Sequence, residues 1–381
     1  MSEAEPPARR PERVLLIPPP GRPRLPSGTE VLARHLATGG RGFNYSLLSP
    51  DKDLERESDA RVEPIYRGGK LTRTARLLTR LVRPDGCAVH HFLFTPHRRA
   101  VQAVRAALTV SRKPSVHTIP SQPIVDGQLP SLLFADRTVV TSEATALLMA
   151  SAGMESPRVI RPGVPMPPAP ADRRTCRARL EASLPSGDWE ASKIFLYPGD
   201  LAFSNGAQVF VDAATQVAER HPEARFILAC RVKTPAALDA RAALRREVDK
   251  RGLGDRVVFL GRVEDMPTLL GSVDAVVLPV DTLYAKVDIP LVVLEAMALG
   301  IPAVVSDLPA LGELAGLGEG VRLVPQSDAE ALAEALSELV DNPGVLKKAG
   351  AGARRTVQHH FSLEGMIAQY ESLYAEVIDG R

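Results

Sequence analysis

The sequence predicts an α/β protein built from two Rossmann-like domains in series. Its length of 381 residues accommodates two domains at roughly 100–200 residues each. Short apolar runs alternate with helix-length stretches, the pattern of a parallel sheet with helices on both faces. The alternation breaks at the proline-rich run from Pro162 to Pro170 and restarts at Lys193, so it occurs twice.

In the first half, Val14–Ile17 reads as the opening strand. A Pro/Gly loop over 18–27 and a helix over 28–36 follow. Ala88–His91, Ser115–Thr118, Arg137–Thr141 and Arg158–Ile160 are further buried strands. Residues 171–192 read as a polar helix plus loop, so 1–168 form the first domain and 169–192 a linker. The second domain, 193–358, has strands at Ile194–Tyr197, Arg225–Ala229, Arg256–Leu260, Ala275–Leu278, Ala303–Val305 and Arg322–Val324. Helices are expected between them at 206–220, 235–252, 265–271 and 291–299. Two such halves facing each other across a central cleft, at the carboxyl ends of their sheets, would form a ligand site.

A hydrophobic content of 45% and a charged content of 24% suit a soluble globular protein. Cys87, Cys176 and Cys230 lack any CxxC spacing, which argues for a reducing compartment and against a disulfide framework or zinc site. Residues 1–13 are charged and proline-rich, and Val14–Ile17 is too short for a secretory core. With no apolar run long enough to span a bilayer, a cytoplasmic protein is expected. Charge is uneven: residues 1–170 hold 24 Lys and Arg against 15 Asp and Glu, while the remainder hold 23 against 30. Arg73, Arg76, Arg80 and Arg83 share one helix face. That face suits peripheral contact with an inner membrane surface or an anionic acceptor, and equally a solvated surface. No aromatic interleaving accompanies the basic charge, so nucleic acid is not expected as a partner.

The most informative segment runs from Lys286 to Asp307. It joins a Pro-led apolar helix with Glu295, a helix stop at Gly300-Ile-Pro302, and a buried strand. This segment resembles the donor motif of retaining glycosyltransferases of family 4, which have the GT-B fold. The resemblance extends over Asp136–Ser142, Arg158–Val164, Leu253–Gly261, Asp274–Pro279 and Arg354–Tyr374. It implies that a closing helix within 359–381 crosses back onto the first domain. It also implies sugar transfer from a nucleoside-diphosphate sugar to a carbohydrate or lipid-linked acceptor, without a metal cofactor. The only Asp-x-Asp form noted, Asp51-Lys-Asp53, falls in a charged loop.

In that family the second glutamate of a Glu-x7-Glu pair binds the ribose, and Glu295 matches it. The first position falls on Val287, with Asp288 one residue out of register. The resemblance also implies donor contacts at Leu291, Gly199 and Gly206. Where the family usually places two phosphate-binding cations, this sequence has Asp200 and Asn205. Ser204, Asn205 and Gly206 still offer a helix start whose N–H groups suit an anion. Arg231 and Lys233, at strand spacing, are the expected replacement cations. Gly28, opening the first long helix, would let the backbone approach the donor. Weaker candidates are Glu313 on the donor side and His91 or Ser121 on the acceptor side. A catalytically degenerate scaffold of the same fold is the alternative reading.

Overall fold

The computed structural model describes residues 11–19, 27–50, 60–66, 68–84, 86–124, 129–181, 184, 188–284 and 286–380. It divides into two compact units. The first comprises Met1–Thr141, Thr145–Gly163 and Leu363–Arg381, and the second Ser142–Ala144 and Val164–Ser362.

In chain order the first unit opens with β1 (Arg13–Ile17), α1 (Gly28–Gly39), β2 (Asn44–Leu48), β3 (Arg61–Glu63) and α2 (Lys70–Val82). It continues with β4 (Cys87–Leu93), α3 (Arg98–Ser111), β5 (Ser115–Ile119), β6 (Arg137–Val140), α4 (Glu143–Ser151) and β7 (Arg158–Val159). Among the described residues these strands make one seven-stranded sheet in the order β3-β2-β1-β4-β5-β6-β7. Every strand pairing in it is parallel among the described residues. The period-two alternation of a strand explains the core. Val14 and Leu16 pack with Leu36, Val89 and Tyr370 on one face. Leu15 and Ile17 pack with Phe92, Val104 and Leu81 on the other. Each such fully buried side chain contributes roughly 1.5–3 kcal/mol, so a sheet covered on both faces reads as an unbroken apolar run. The sequence reading had no place for β2 and β3. Both lie beside the charged stretch 51–59, which is outside the described residues, and neither carries a long apolar run.

The second unit holds α5 (Arg173–Glu181), β8 (Lys193–Tyr197), α6 (Gly206–Arg220), β9 (Ala224–Ala229), α7 (Pro235–Lys250) and β10 (Val257–Leu260). Then come α8 (Met266–Ser272), β11 (Ala275–Leu278), α9 (Leu291–Ala298), β12 (Ala303–Ser306), α10 (Pro309–Gly316), β13 (Val321–Val324), α11 (Ala329–Asp341) and α12 (Pro343–His360). Its sheet runs β10-β9-β8-β11-β12-β13. The last helix, α13 (Leu363–Asp379), groups with the first unit, where Ile367, Tyr370 and Tyr374 enter the core.

The described residues of 169–192, expected as a linker, group with the second unit, and α5 packs there. Arg177 donates to Asp274 Oδ2 at 2.7 Å and to the carbonyl of Ser272 at 2.9 Å, and Arg173 donates to Asp274 Oδ1 at 2.7 Å. Trp189 is buried. The polar composition of α5 suggested solvation. Its arginines instead satisfy a buried carboxylate that would be costly to leave unpaired.

Candidate active site at the carboxyl edge of the second sheet

The second sheet changes direction between β8 and β11, and a ligand crevice is expected beyond the carboxyl ends of strands at such a switch. The loops that leave these two strands are tied together there. Lys286, in the loop after β11, forms an ion pair with Asp200, in the loop after β8. Asp200 Oδ1 also accepts from the amides of Ala202 at 3.1 Å, Phe203 at 2.6 Å and Ser204 at 3.2 Å. Burial opposes its charge, yet Lys286 and these amides hold the carboxyl below its ordinary pKa. The amide of Asn205 donates to Asp281 Oδ1 at 3.3 Å, and its side-chain Nδ2 donates to Ser327 Oγ at 2.6 Å. Three loops thus share one hydrogen-bonded frame.

Several helices begin without a side-chain cap, α2 and α12 among them, and so do the three that follow β8, β11 and β12. Helices α1, α7, α8 and α11 are capped by the side chains of Ser27, Thr234, Asp265 and Asp328. Helices α6, α9 and α10, which follow β8, β11 and β12, have no side-chain cap. The N–H groups of Gly206 and Ala207 on α6, and of Leu291 and Val292 on α9, find no acceptor among the described residues. A helix start with free N–H groups favours an anion.

Glu295 sits in the second turn of α9 and is half-buried. Burial raises its pKa. No hydrogen bond or ion pair to its carboxylate is found among the described residues. Asn205 Oδ1 and Ser306 Oγ, at the ends of the loop after β8 and of β12, are buried polar atoms without a hydrogen-bond partner there. Buried polar groups are ordinarily satisfied. Two such atoms, with the Glu295 carboxylate on the adjoining helix, point to a polar ligand.

The structure treats the expected site residues differently. β9 ends at Ala229, and residues 230–233 are irregular, so strand alternation does not aim Arg231 and Lys233 at one point. Arg231 is half-buried and Lys233 exposed on that loop. Asp288 is buried and accepts from Ser142 Oγ at 2.7 Å, within the second unit. The side chain of Leu291 is core, and only its amide is available. Gly199 answers to packing: a Cβ there would lie 2.0 Å from the Tyr197 ring. A Cβ at Gly206 would lie 2.9 Å from the Tyr197 hydroxyl and from Val280, so glycine lets α6 start against them. The amide of Ser204, expected to receive an anion, is taken by Asp200. Glu313 accepts from the amide of Ala144 at 3.2 Å.

In the first unit, Gly28 opens α1 behind a capping box in which Ser27 and Glu30 satisfy each other. The Glu30 carboxylate therefore already occupies that helix start. His91 is buried, with Nδ1 2.7 Å from Tyr374 Oη and Nε2 2.7 Å from Thr118 Oγ1, so it packs in the core instead of lining an open site. Ser121 is half-buried after β5. Asp51 and Asp53 lie outside the described residues. Among the described residues no cluster of His, Cys, Asp and Glu has a metal-binding arrangement.

Sequence reasoning missed Lys286. The residue opened the most informative segment, but its partner lies 86 positions away. The one available signal was the unexplained Asp200 facing an expected phosphate.

Residues 192–342 match the family model described as Glycosyl transferases group 1. Among similar proteins is the alpha-D-kanosaminyltransferase of Streptomyces kanamyceticus, 27% identical over 209 residues, which cover 54% of this chain and 51% of that protein. Another is the lipopolysaccharide core biosynthesis mannosyltransferase LpcC of Rhizobium leguminosarum bv. viciae, 29% identical over 180 residues, 47% of this chain and 50% of that one. The matches span about half the length of these relatives. Across nearly the whole chain the fold is that of Anabaena HepE in complex with UDP-glucose. Its TM-score is 0.76 at 18% identity, covering 98% of this chain and 100% of that one. Sucrose-phosphate synthase of Thermosynechococcus elongatus fits equally, with a TM-score of 0.76 at 20% identity and the same coverage.

Proposed function

We propose that this chain, a GT-B-fold protein whose residues 192–342 belong to the group 1 glycosyltransferases, moves a sugar from a nucleoside-diphosphate sugar to a hydroxyl acceptor. The observation that carries the proposal is Glu295, an acceptor-only carboxylate left without a partner on the helix that leaves the switch point. A carboxylate so placed can accept from both vicinal hydroxyls of a ribose. The glycosyltransferase relatives and the structural neighbour solved with UDP-glucose support the same reading.

The amides opening α9 and α6 face the negative charge of the departing diphosphate, and Lys286 adds a cation. Lysine carries three donors, so its bond to Asp200 fixes its position and leaves capacity for a phosphate oxygen. Arg231 and Lys233 extend the positive field from the neighbouring loop. In the reaction the bond between the anomeric carbon and the diphosphate oxygen breaks, the acceptor oxygen bonds to the same face, and its proton passes to the departing diphosphate. The configuration is thereby retained. Charge developing on the leaving oxygen is stabilised by fixed donors, the largest catalytic contribution in such sites. The positive charge comes from the protein and not from a metal, so EDTA should leave turnover unchanged. A carbohydrate or lipid-linked hydroxyl is the acceptor substrate.

Thermal-shift titration with UDP, GDP and ADP tests the donor site, because a ligand that binds only the folded chain raises its melting temperature. One nucleotide should stabilise the wild type and fail to stabilise Glu295→Ala. No shift with any of them, or an equal shift in the variant, defeats the proposal. The Lys286–Asp200 pair favours a second reading, a binding scaffold, because it spends a cation internally. Stabilisation by a nucleotide with no hydrolysis of any nucleotide sugar would select that reading.

A further inference from the structure

The first unit contains a cavity of about 230 Å³ lined by Arg13, Arg61, Glu63, Arg80, Arg83 and Pro84. It is remote in sequence from every residue of the donor site. Its walls come from fixed elements: Arg13 and Arg61 begin β1 and β3, Arg80 lies in the last turn of α2, and Arg83 closes that helix. The single carboxylate is already committed. Arg80, itself buried, grips Glu63 through Nε at 2.5 Å and Nη2 at 2.8 Å. Arg61 Nε stands 4.0 Å from the same carboxylate. One carboxylate among four guanidinium groups leaves a formal balance of three positive charges around the cavity.

Like charges held together by a rigid frame repel, and a bound anion would relieve that repulsion. Guanidinium forks also match the oxygens of a phosphate. The volume exceeds the roughly 30 Å³ of a water molecule several-fold, enough for a phosphate group and its hydration. We propose that this cavity is a binding site for a phosphate monoester or inorganic phosphate, separate from the donor site. The shared chemistry is a compact dianion, carried either by a soluble phosphate compound or by the headgroup of an anionic lipid.

The experiment titrates inorganic phosphate into the full chain by calorimetry at fixed ionic strength, with wild type beside Arg61→Ala/Arg83→Ala. Both arginines are exposed and lie outside the donor site, so the variant should fold and keep its nucleotide response. The expected result is saturable binding to the wild type that weakens at least tenfold in the variant. A second arm adds vesicles of phosphatidic acid in phosphatidylcholine. Competition with phosphate identifies a lipid headgroup as the source, and its absence identifies a soluble phosphate. No saturable binding to the wild type, or equal binding to the variant, overturns the proposal. Because nucleotide stabilisation is measured separately on both proteins, failure here leaves the donor-site proposal standing, and the reverse holds too.

Discussion

The two units share a strand order and differ in what they do with buried polar groups. In the first, His91 is held at both ring nitrogens, Thr118 also meets Tyr370 at 3.0 Å, and Tyr45 donates to Glu371 at 2.9 Å. Ser46 Oγ and His117 Nδ1 are left over, but both lie within strands. In the second, Arg173 Nε, Asn205 Oδ1, Ser306 Oγ and Ser337 Oγ are left over among the described residues, and Asn205 and Ser306, with the Glu295 carboxylate, lie toward the carboxyl edge of the sheet. The His91 cluster of the first unit is thus a closed polar network, and the second unit leaves an open one at the carboxyl edge of its sheet. An open network at a switch point is a site awaiting a ligand; a closed one is a device for order.

The sharpest way to break this comparison is Glu295→Ala. A charge-assisted hydrogen bond is worth about 1.5–3 kcal/mol, so kcat/KM for the donor should fall roughly 10- to 100-fold. Steady-state kinetics, with melting temperature as the folding control, give the answer. Unchanged kinetics would mean that the open carboxylate is incidental.

Lys286→Ala comes next. Its loss removes a fixed donor to the diphosphate, and kcat should drop about tenfold, with partial recovery in Lys286→Arg. It also leaves Asp200 without its ion pair, and the Asp200 carboxyl, now held below its ordinary pKa by that pair among other groups, should titrate higher. Arg231→Ala should cost less, since it lies on a loop that strand geometry does not aim. A larger loss at Arg231 than at Lys286 would reverse the assignment of cations.

The closed network makes a prediction about pH. Burial holds His91 near a pKa of about 3 and His117 near about 4, both below the ordinary 6.5. The unfolded chain therefore binds more protons than the folded one between those values and 6.5. Stability from these groups is fully present above pH 6.5 and is lost as the pH falls toward 4. Urea-unfolding midpoints measured across that window should decline with acidity, and His91→Gln should flatten the decline. Parallel curves for variant and wild type would show that His91 is not responsible.

Much of the fold was legible because strands buried on both faces read as continuous apolar runs. Helix α6 was placed at 206–220 from its Gly start and apolar spacing, and the structure has it at Gly206–Arg220. β2 and β3 escaped notice because both are short and carry polar residues, β3 at the edge of the sheet and β2 beside it. Glu295 was legible because one local segment holds it. The Lys286–Asp200 pair was not, since no local pattern links two loops that only the sheet order brings together. For Arg231 and Lys233 strand spacing says nothing of where they point, because they follow β9 in sequence and the strand ends before them. Spacing rules hold only inside an element.

The smallest predicted effect separates the two helix starts. Ser27 caps α1 and Glu30 returns the bond, so α1 satisfies its own amides. Ser27→Ala should cost about 1 kcal/mol of stability, a shift of a few degrees or less in melting temperature for a chain of this size. If α1 is closed in this way, donor KM should remain at the wild-type value. If instead the Gly28 turn receives the donor phosphates, removing the cap would disturb the approach of that backbone and KM would rise along with the loss of stability. Measuring both quantities on one variant decides whether a self-capped helix start can also serve the donor, or whether that task falls to the uncapped starts of α6 and α9.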